Sequence, residues 1–165
     1  EISECLVGSE MCIRDRYGAL ADVLIDEVKE LVGCDLVEQD FSGPQRAYPF
    51  FTYKITTPYI KDMEQMNNGE MFDLTVSMTC CSDNSIKAQD LAMKLFKNLK
   101  SDNVRRKLRT DHDIVIADVD SFDNRSVFQS VNYERRVGFD LHLRVVDGFH
   151  EDIPTIDKIN LDNTN

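Results

Sequence analysis

The sequence contains no tryptophan and only four prolines in 165 residues. It also lacks the features that mark membrane segments and secretory leaders. No run of about 18 apolar residues occurs, so no transmembrane helix is expected. The first residues lack the basic start and the apolar core of a secretory signal. We therefore expect a protein that works in the cytoplasm and binds no membrane.

The cysteines do not form a recognisable framework. There are five of them, two are adjacent, and no CxxC spacing occurs. An odd set without paired spacing indicates neither a disulfide scaffold nor a zinc site. No metal or other cofactor is expected. The five are Cys5, Cys12, Cys34, Cys80 and Cys81.

Basic residues are scarce relative to acidic ones. Nineteen Lys and Arg stand against thirty Asp and Glu, which gives a formal charge of −11. Nucleic acid should be repelled unless a local basic stripe overrides this mean. The candidate stripes, Arg105 to Arg109 and Arg135-Arg136, both lie among acids.

The remaining composition is that of one folded domain. Hydrophobic residues make up 42% of the chain and charged residues 30%, well away from the disordered class. The length suits a single domain of ordinary size. We expect this domain at residues 17–150, followed by a flexible C-terminal tail at 151–165.

The first sixteen residues, EISECLVGSEMCIRDR, have no clear helical or strand periodicity. Their second part resembles the translated adapter sequence found at the edges of some environmental gene assemblies. We therefore interpret residues 1–16 as a non-native leader and exclude them from the fold prediction. A disordered native arm is the alternative.

Two segments have the apolar periodicity of amphipathic helices. Ala19 to Val32 places leucines and valines at three-to-four spacing and is followed by Gly33, a natural C-terminal stop. Ile86 to Lys100 has a similar stripe after the capping side chains of Ser82 to Ser85. The polar segment Ser101 to Asp113 adds at most a turn or two of helix.

Several segments have the pattern of strands. Phe72 to Cys81 and Gly138 to Val146 alternate apolar and polar residues, as strands with one buried face do. Phe50 to Thr57 and Ile114 to Val119 are further strands, whereas Pro58 to Gly69 is expected to be a long connection. Weaker candidates are Asp35 to Phe41, and Phe122 to Asn132, the latter a strand or an irregular crossing.

These elements predict an α+β fold. Strands and helices do not alternate one for one, so a mainly antiparallel sheet with two helices packed on one face is expected. Strict alternation in two strands indicates that the second face of the sheet is not covered by helices. That face is free for water or for a neighbouring molecule.

Three clusters could carry chemistry, and each has a plainer interpretation. His112 between Asp111 and Asp113 could act as a general base, but adjacent residues in a charged loop rarely aim at one reacting atom. Cys80 and Cys81 point to opposite faces of a strand, so they cannot readily bind one ion together. The spacing Asp118, Asp120, Asp123 lacks the central glycine and the final Glu of a calcium loop. No catalytic residue, cofactor site or metal site is therefore assigned.

Apolar residues in and beside the long connection indicate an interface. Tyr59, Ile60, Met63 and Met66 would be costly to leave in water, and flexible thioethers suit surfaces that repack on binding. The alternative is a loop folded onto its own domain. We predict that these four residues contact a partner or another copy of the chain.

A pair of arginines precedes the last strand. Arg135 and Arg136 are either exposed charges or groups that pair with acids of a neighbouring subunit. Because an acidic protein needs cations where its copies pack together, we add both to the candidate interface.

The order of these elements resembles that of the neck or tail-terminator proteins of tailed bacteriophages, over about residues 19–147. The most specific part is the closing ERRVGFDLHLRV. The other segments that carry the resemblance are YPFFTYKIT, FDLTVSMTC and SIKAQDLAMKLFKNL.

The resemblance implies a tail-terminator-like fold and a structural role without catalysis. It implies a subunit of a ring, commonly a hexamer, that caps the tail tube and joins it to the head connector or stopper protein. DNA would pass through the lumen without specific binding, and the virion neck or tail end would be its location. A head-completion or minor tail protein of related fold is the alternative, and a small hydrolase using His112 is a third hypothesis.

Overall fold

The computed structural model describes residues 10–44, 46–61, 71–126 and 134–146, with side chains from Arg16 onward. It contains three helices, α1 (Glu10–Val32), α2 (Ser85–Leu99) and α3 (Asp102–His112). The strands are β1 (Leu36–Glu38), β2 (Phe50–Lys61), β3 (Met71–Ser82), β4 (Ile114–Asn124) and β5 (Arg135–Val146).

The strands form one five-stranded sheet in the order β1-β2-β3-β5-β4. Three of the four pairings are antiparallel, as the sequence indicated. The fourth pairing, between β1 and β2, is parallel, so the sheet is mixed. The fold is therefore α+β, with one more helix than predicted.

The helices and the sheet bury a common apolar core. Alternate residues of the two central strands point to the helices, among them Met78 of β3 and Phe139 of β5, both fully buried. Phe96 of α2 packs edge-on against Phe139, with ring centroids 5.6 Å apart. From α1, Leu24 and Val28 enter the same core cluster. Burying a side chain of this size contributes about 1.5–3 kcal/mol.

The third helix was largely missed by the sequence prediction. Its eleven residues carry only two buried apolar side chains, Val104 and Leu108, so its apolar stripe is one turn long. The ends of the helix are nevertheless well defined. Ser101 caps the first turn by accepting from the backbone N–H of Val104, and Asp113 closes the last turn in a left-handed conformation with φ of 55°.

The second strand is longer than predicted, because it continues through Pro58 to Lys61. Beyond Tyr53 its outer side has no pairing with the short β1, so it forms part of the edge of the described sheet. Pro58 lacks a backbone N–H, and an edge position does not require one. The expected connection therefore begins after Lys61, and residues 62–70 lie outside the described part of the chain.

The first helix and the fourth strand also exceed their predicted bounds. Helix α1 begins at Glu10, inside the segment interpreted as a leader. Strand β4 extends to Asn124, so the start of the predicted crossing at Phe122 belongs to it. Two register shifts in β4 interrupt the apolar alternation, which explains why the sequence pattern ended at Val119.

The face of the sheet opposite the helices is largely polar in the described residues. On β5 it carries Asp140, His142 and Arg144, which alternate with the buried Leu141 and Leu143. None of the three described helices packs on this face. The prediction that helices cover only one face of the sheet therefore agrees with the structure.

Candidate functional site

The cluster around His112 is the end of a helix. His112 is the last residue of α3, and it is exposed together with Asp111 and Asp113. The backbone N–H of Asp113 donates to the carbonyl of Leu108, which satisfies the end of the helix. This geometry gives Asp113 a structural role in terminating α3.

The adjacent cysteines are buried on opposite faces of β3, as expected for a strand. Cys80 lies in the core and Cys81 on the opposite face, and both are free thiols. Burial raises the pKa of each thiol to about 12, and Glu134 adds to this effect at Cys81. Both side chains are therefore protonated near neutral pH and poor nucleophiles.

The three aspartates of β4 serve separate contacts. The carboxylate of Asp118 accepts from the backbone N–H of Val119 at 2.7 Å. Asp120 contacts His142 at 3.2 Å, and Asp123 pairs with Arg125 at 2.6 Å. Within the described ranges no group of three acidic, histidine or cysteine side chains is placed to hold a metal ion.

A network on the polar face of the sheet was not found by sequence reasoning. The Nδ1 atom of His142 lies 3.1 Å from the hydroxyl of Thr75, and its Nε2 atom lies 3.2 Å from the carboxylate of Asp120. This hydrogen bond to His142 holds the pKa of Asp120 below its usual range. The three side chains come from β3, β5 and β4, so the contacts join three strands.

The Thr75, His142 and Asp120 contacts have the order of a nucleophile, a base and an orienting acid. Thr75 is only 9% exposed and lies in the middle of the central strand β3. A hydroxyl so little exposed in the middle of a paired strand is poorly placed to reach a substrate carbonyl. The arrangement is best explained as a bridge between strands.

Arg125 forms a second part of the same network. It follows β4 and donates to the side chains of Ser77, Asp123 and Asp140. Beneath it lies Gly138, where a Cβ atom would approach the carbonyl oxygen of Met78 to 2.6 Å and Nη1 of Arg125 to 3.0 Å. The absence of a side chain at residue 138 therefore allows the guanidinium to lie flat against the sheet.

A third ion pair lies on the same face, at the other end of the central strands. Arg144 holds the two carboxylate oxygens of Asp73 at 2.7 and 3.1 Å, a bidentate geometry. The hydrogen bond from Arg144 lowers the pKa of Asp73. The alternation of apolar and polar residues in β5 indicates which of its side chains share this face. It does not indicate their ion-pair partners, because those depend on the register between strands.

The candidate interface residues fall in two separate places. Tyr59 and Ile60 lie near the far end of β2, each 45% exposed, and Ile60 is the register partner of Asp73. Arg135 and Arg136 pair with the opposite end of β3, at Ser82 and Cys81. Nine residues of strand separate these ends, which is about 30 Å.

The end of the hairpin formed by β2 and β3 carries a concentration of exposed apolar side chains. Met71, 53% exposed, begins β3 close to Tyr59 and Ile60. Tyr59 packs against Phe72, with ring centroids 5.2 Å apart, so the tip is anchored to the core. We call Tyr59, Ile60 and Met71 the hairpin tip. The predicted contacts Met63 and Met66 lie outside the described residues.

At the opposite end, Arg136 has a partner within its own chain. Its guanidinium donates to the carboxylate of Glu134 at 3.1 Å, and both groups are partly or largely buried. Its contact with an acid of a neighbouring subunit stays a prediction.

Among the described residues no helix is both long and apolar enough to cross a membrane. A search of curated proteins found no match. A profile of the family described as "Phage neck terminator protein" matches residues 22–165, which is most of the chain. By this match the chain belongs to the phage neck terminator proteins, a structural family of the bacteriophage neck.

Proposed function

We propose that the protein is a subunit of a ring, a hexamer, that caps the tail tube of a phage and joins it to the head connector or stopper protein. Membership in the neck terminator family carries this proposal. The described side chains support a structural role, because the contacts of their polar clusters join neighbouring strands or terminate a helix. The ring would assemble in the host cytoplasm and remain in the neck of the virion.

The hairpin tip is the proposed contact with the tail tube or with a neighbouring subunit. Tyr59, Ile60 and Met71 each expose about half of their surface. Aromatic, aliphatic and thioether groups exposed at the same end of a hairpin are typical of a protein interface. They also lie beside the part of β2 that forms an edge of the described sheet, where strand backbone could pair with a partner.

The net charge of the subunit suits a ring around DNA. With a formal charge of −11 on each copy, the lumen of a ring would repel the phosphate backbone on average. DNA would then pass through without binding specifically.

Binding to tail tubes tests the proposal. Purified protein should form rings and label the ends of tail tubes in negative-stain images. The double variant Tyr59→Ser/Ile60→Ser should lose this labelling while its circular dichroism spectrum is unchanged. Phe41→Ser is the matched control, because Phe41 is also exposed, at 53%, but lies outside the tip.

Two results would count against the proposal. Labelling of head connectors and never of tubes would favour a head-completion protein. A monomer that binds neither tubes nor connectors would rule out the proposed role altogether.

A further inference from the structure

Charge is unevenly distributed along this acidic chain. Residues 19–40, which span most of α1 and all of β1, carry seven acidic groups and one lysine, a net charge of −6. Residues 85–112, which span α2 and α3, carry eight basic groups and three acidic ones, a net charge of +5. The overall charge of −11 conceals this strongly positive helical region.

Part of this opposite charge is neutralised within one chain. Lys107 of α3 donates to Glu27 and Glu30 of α1, at 2.8 and 2.7 Å. With these three residues set aside, residues 19–40 carry −4 and residues 85–112 carry +4. The remaining charges on the two segments are equal in size and opposite in sign.

Most of the remaining charged groups on these segments are exposed, and one further ion pair within the chain joins Lys29 to Asp35 at 3.6 Å. We define the acidic surface by four exposed residues, Asp22, Asp26, Asp35 and Glu38. We define the basic surface by five exposed residues, Lys87, Lys94, Lys97, Arg106 and Arg109.

The acidic surface is concentrated enough to affect a neighbouring group. Tyr53 lies beside it on β2, where burial and then the negative charges of Glu38 and Asp22 raise its pKa. The two carboxylates come from β1 and α1, so both elements contribute to the negative electrostatic potential around Tyr53.

The basic surface also exposes apolar side chains between its cations. Ile86 is 69% exposed and Met93 is 37% exposed, two turns apart on α2. Apolar area bounded by charges is typical of protein interfaces, whereas contacts to a phosphate backbone are made mainly by the cations. The partner of this surface is therefore better identified as an acidic protein surface than as DNA.

We propose that the basic surface of one copy docks against the acidic surface of a second copy. The contact is head-to-tail if each copy uses its two surfaces on two different neighbours, and such a contact closes into a ring when the rotation between subunits allows it. Copies that each carry a charge of −11 repel one another on average, and this contact is where they attract. The inference depends on the proposed ring, since it specifies the contact between the ring's subunits.

Charge reversal tests the contact. In light scattering, Lys94→Glu/Lys97→Glu and Asp22→Lys/Asp26→Lys should each raise the protein concentration needed for half-assembly by about tenfold or more. Reversing every residue of both surfaces changes their charges from +5 and −4 to −5 and +4, so this fully reversed variant should regain assembly. Asp118→Lys is the control, because Asp118 is exposed and lies outside the two surfaces.

Salt dependence provides a second measurement. Raising the ionic strength from about 0.1 M to about 1 M shortens the Debye length from about 10 Å to about 3 Å. Wild-type rings should dissociate over this range, and circular dichroism should show that the subunits stay folded.

The outcomes separate this inference from the proposed function. If the wild type forms rings and both reversals assemble normally, the inference is overturned and the ring stands. If both reversals fail and the fully reversed variant, shown to be folded by circular dichroism, also fails, the pairing of these two surfaces is wrong. If Lys94→Glu/Lys97→Glu loses only duplex DNA binding, the basic surface is a nucleic-acid site. A wild type that stays monomeric at low salt overturns both proposals.

Discussion

Gly138 is a position where neighbouring groups leave no room for a side chain. It lies on β5 beneath Arg125, and a Cβ atom there would come within 2.6 Å of the carbonyl oxygen of Met78. Backbone oxygens in a paired strand cannot move easily, so the added methyl group must displace the strand or the guanidinium.

Gly138→Ala should therefore lower the free energy of unfolding by about 2 kcal/mol, the usual cost of overpacking. Gly18→Ala is the matched control, because nothing lies within 4 Å of the corresponding position on α1. Removing an exposed helical glycine should instead stabilise the protein by about 0.8 kcal/mol. Urea denaturation of both variants measures the contrast, and equal effects would contradict this account.

The ion pair between Asp73 and Arg144 should make stability depend on pH. Because Arg144 lowers the pKa of Asp73, the folded state favours the ionised carboxylate. This contribution is complete above the ordinary aspartate value of about 3.9 and is lost as the pH falls through the lower, folded-state pKa.

Asp73→Asn should destabilise the protein by about 1 kcal/mol near pH 7, a modest value because both side chains are about one-third exposed. The difference from wild type should be constant down to about pH 5 and narrow below about pH 4. Asp90→Asn, at an exposed position of α2, is the control and should show little change. A difference for Asp73→Asn that persists unchanged below pH 3 would contradict the ion-pair explanation.

At the scale of elements, the first turn of α2 depends on one side chain. Asn84 accepts from the backbone N–H groups of Ile86 and Lys87, at 2.9 and 3.2 Å. Its extended backbone, with φ of −118° and ψ of 126°, is that of an N-cap residue.

Asn84→Ala should cost about 1 kcal/mol of stability, because two backbone donors of the helix lose their acceptor. Asn103→Ala, at an exposed position inside α3, should be neutral or slightly stabilising, since alanine has the higher helix propensity. Thermal unfolding followed by circular dichroism distinguishes the two. A loss of similar size at both positions would show that the cap is not important.

The elements that the sequence predicted well are those with strong periodicity. Helix α2 and the central strands β3 and β5 differ from their predicted bounds by at most three residues. Each has one buried face, and burial of that face produces the periodic spacing of apolar residues from which the element was predicted. The short stripe of α3 and the register shifts of β4 weakened the corresponding signals.

The contacts of the candidate site were less predictable. The sequence placed Asp140, His142 and Arg144 on one face of β5, but it could not show that His142 meets Asp120 or that Arg144 meets Asp73. Those partners depend on which residues of neighbouring strands are opposite one another, and this register is set by the complete fold. Of the residues predicted to form an interface, Tyr59 and Ile60 lie in the hairpin tip, whereas Met63 and Met66 lie outside the described residues.

At the scale of the whole molecule, the structure combines a stable core with distinct outer surfaces. The helices cover one face of the sheet, and a network of paired charges occupies the other. An exposed apolar tip and two oppositely charged surfaces remain at the periphery. This arrangement suits a subunit that acts through contacts, and it agrees with membership in a structural family.

The mass of the native assembly tests the central claim most directly. Native mass spectrometry of the purified protein at low salt should give a closed species of about 114 kDa, six times the 19.0 kDa of one chain. A single species at 19.0 kDa over the whole accessible concentration range would contradict the account.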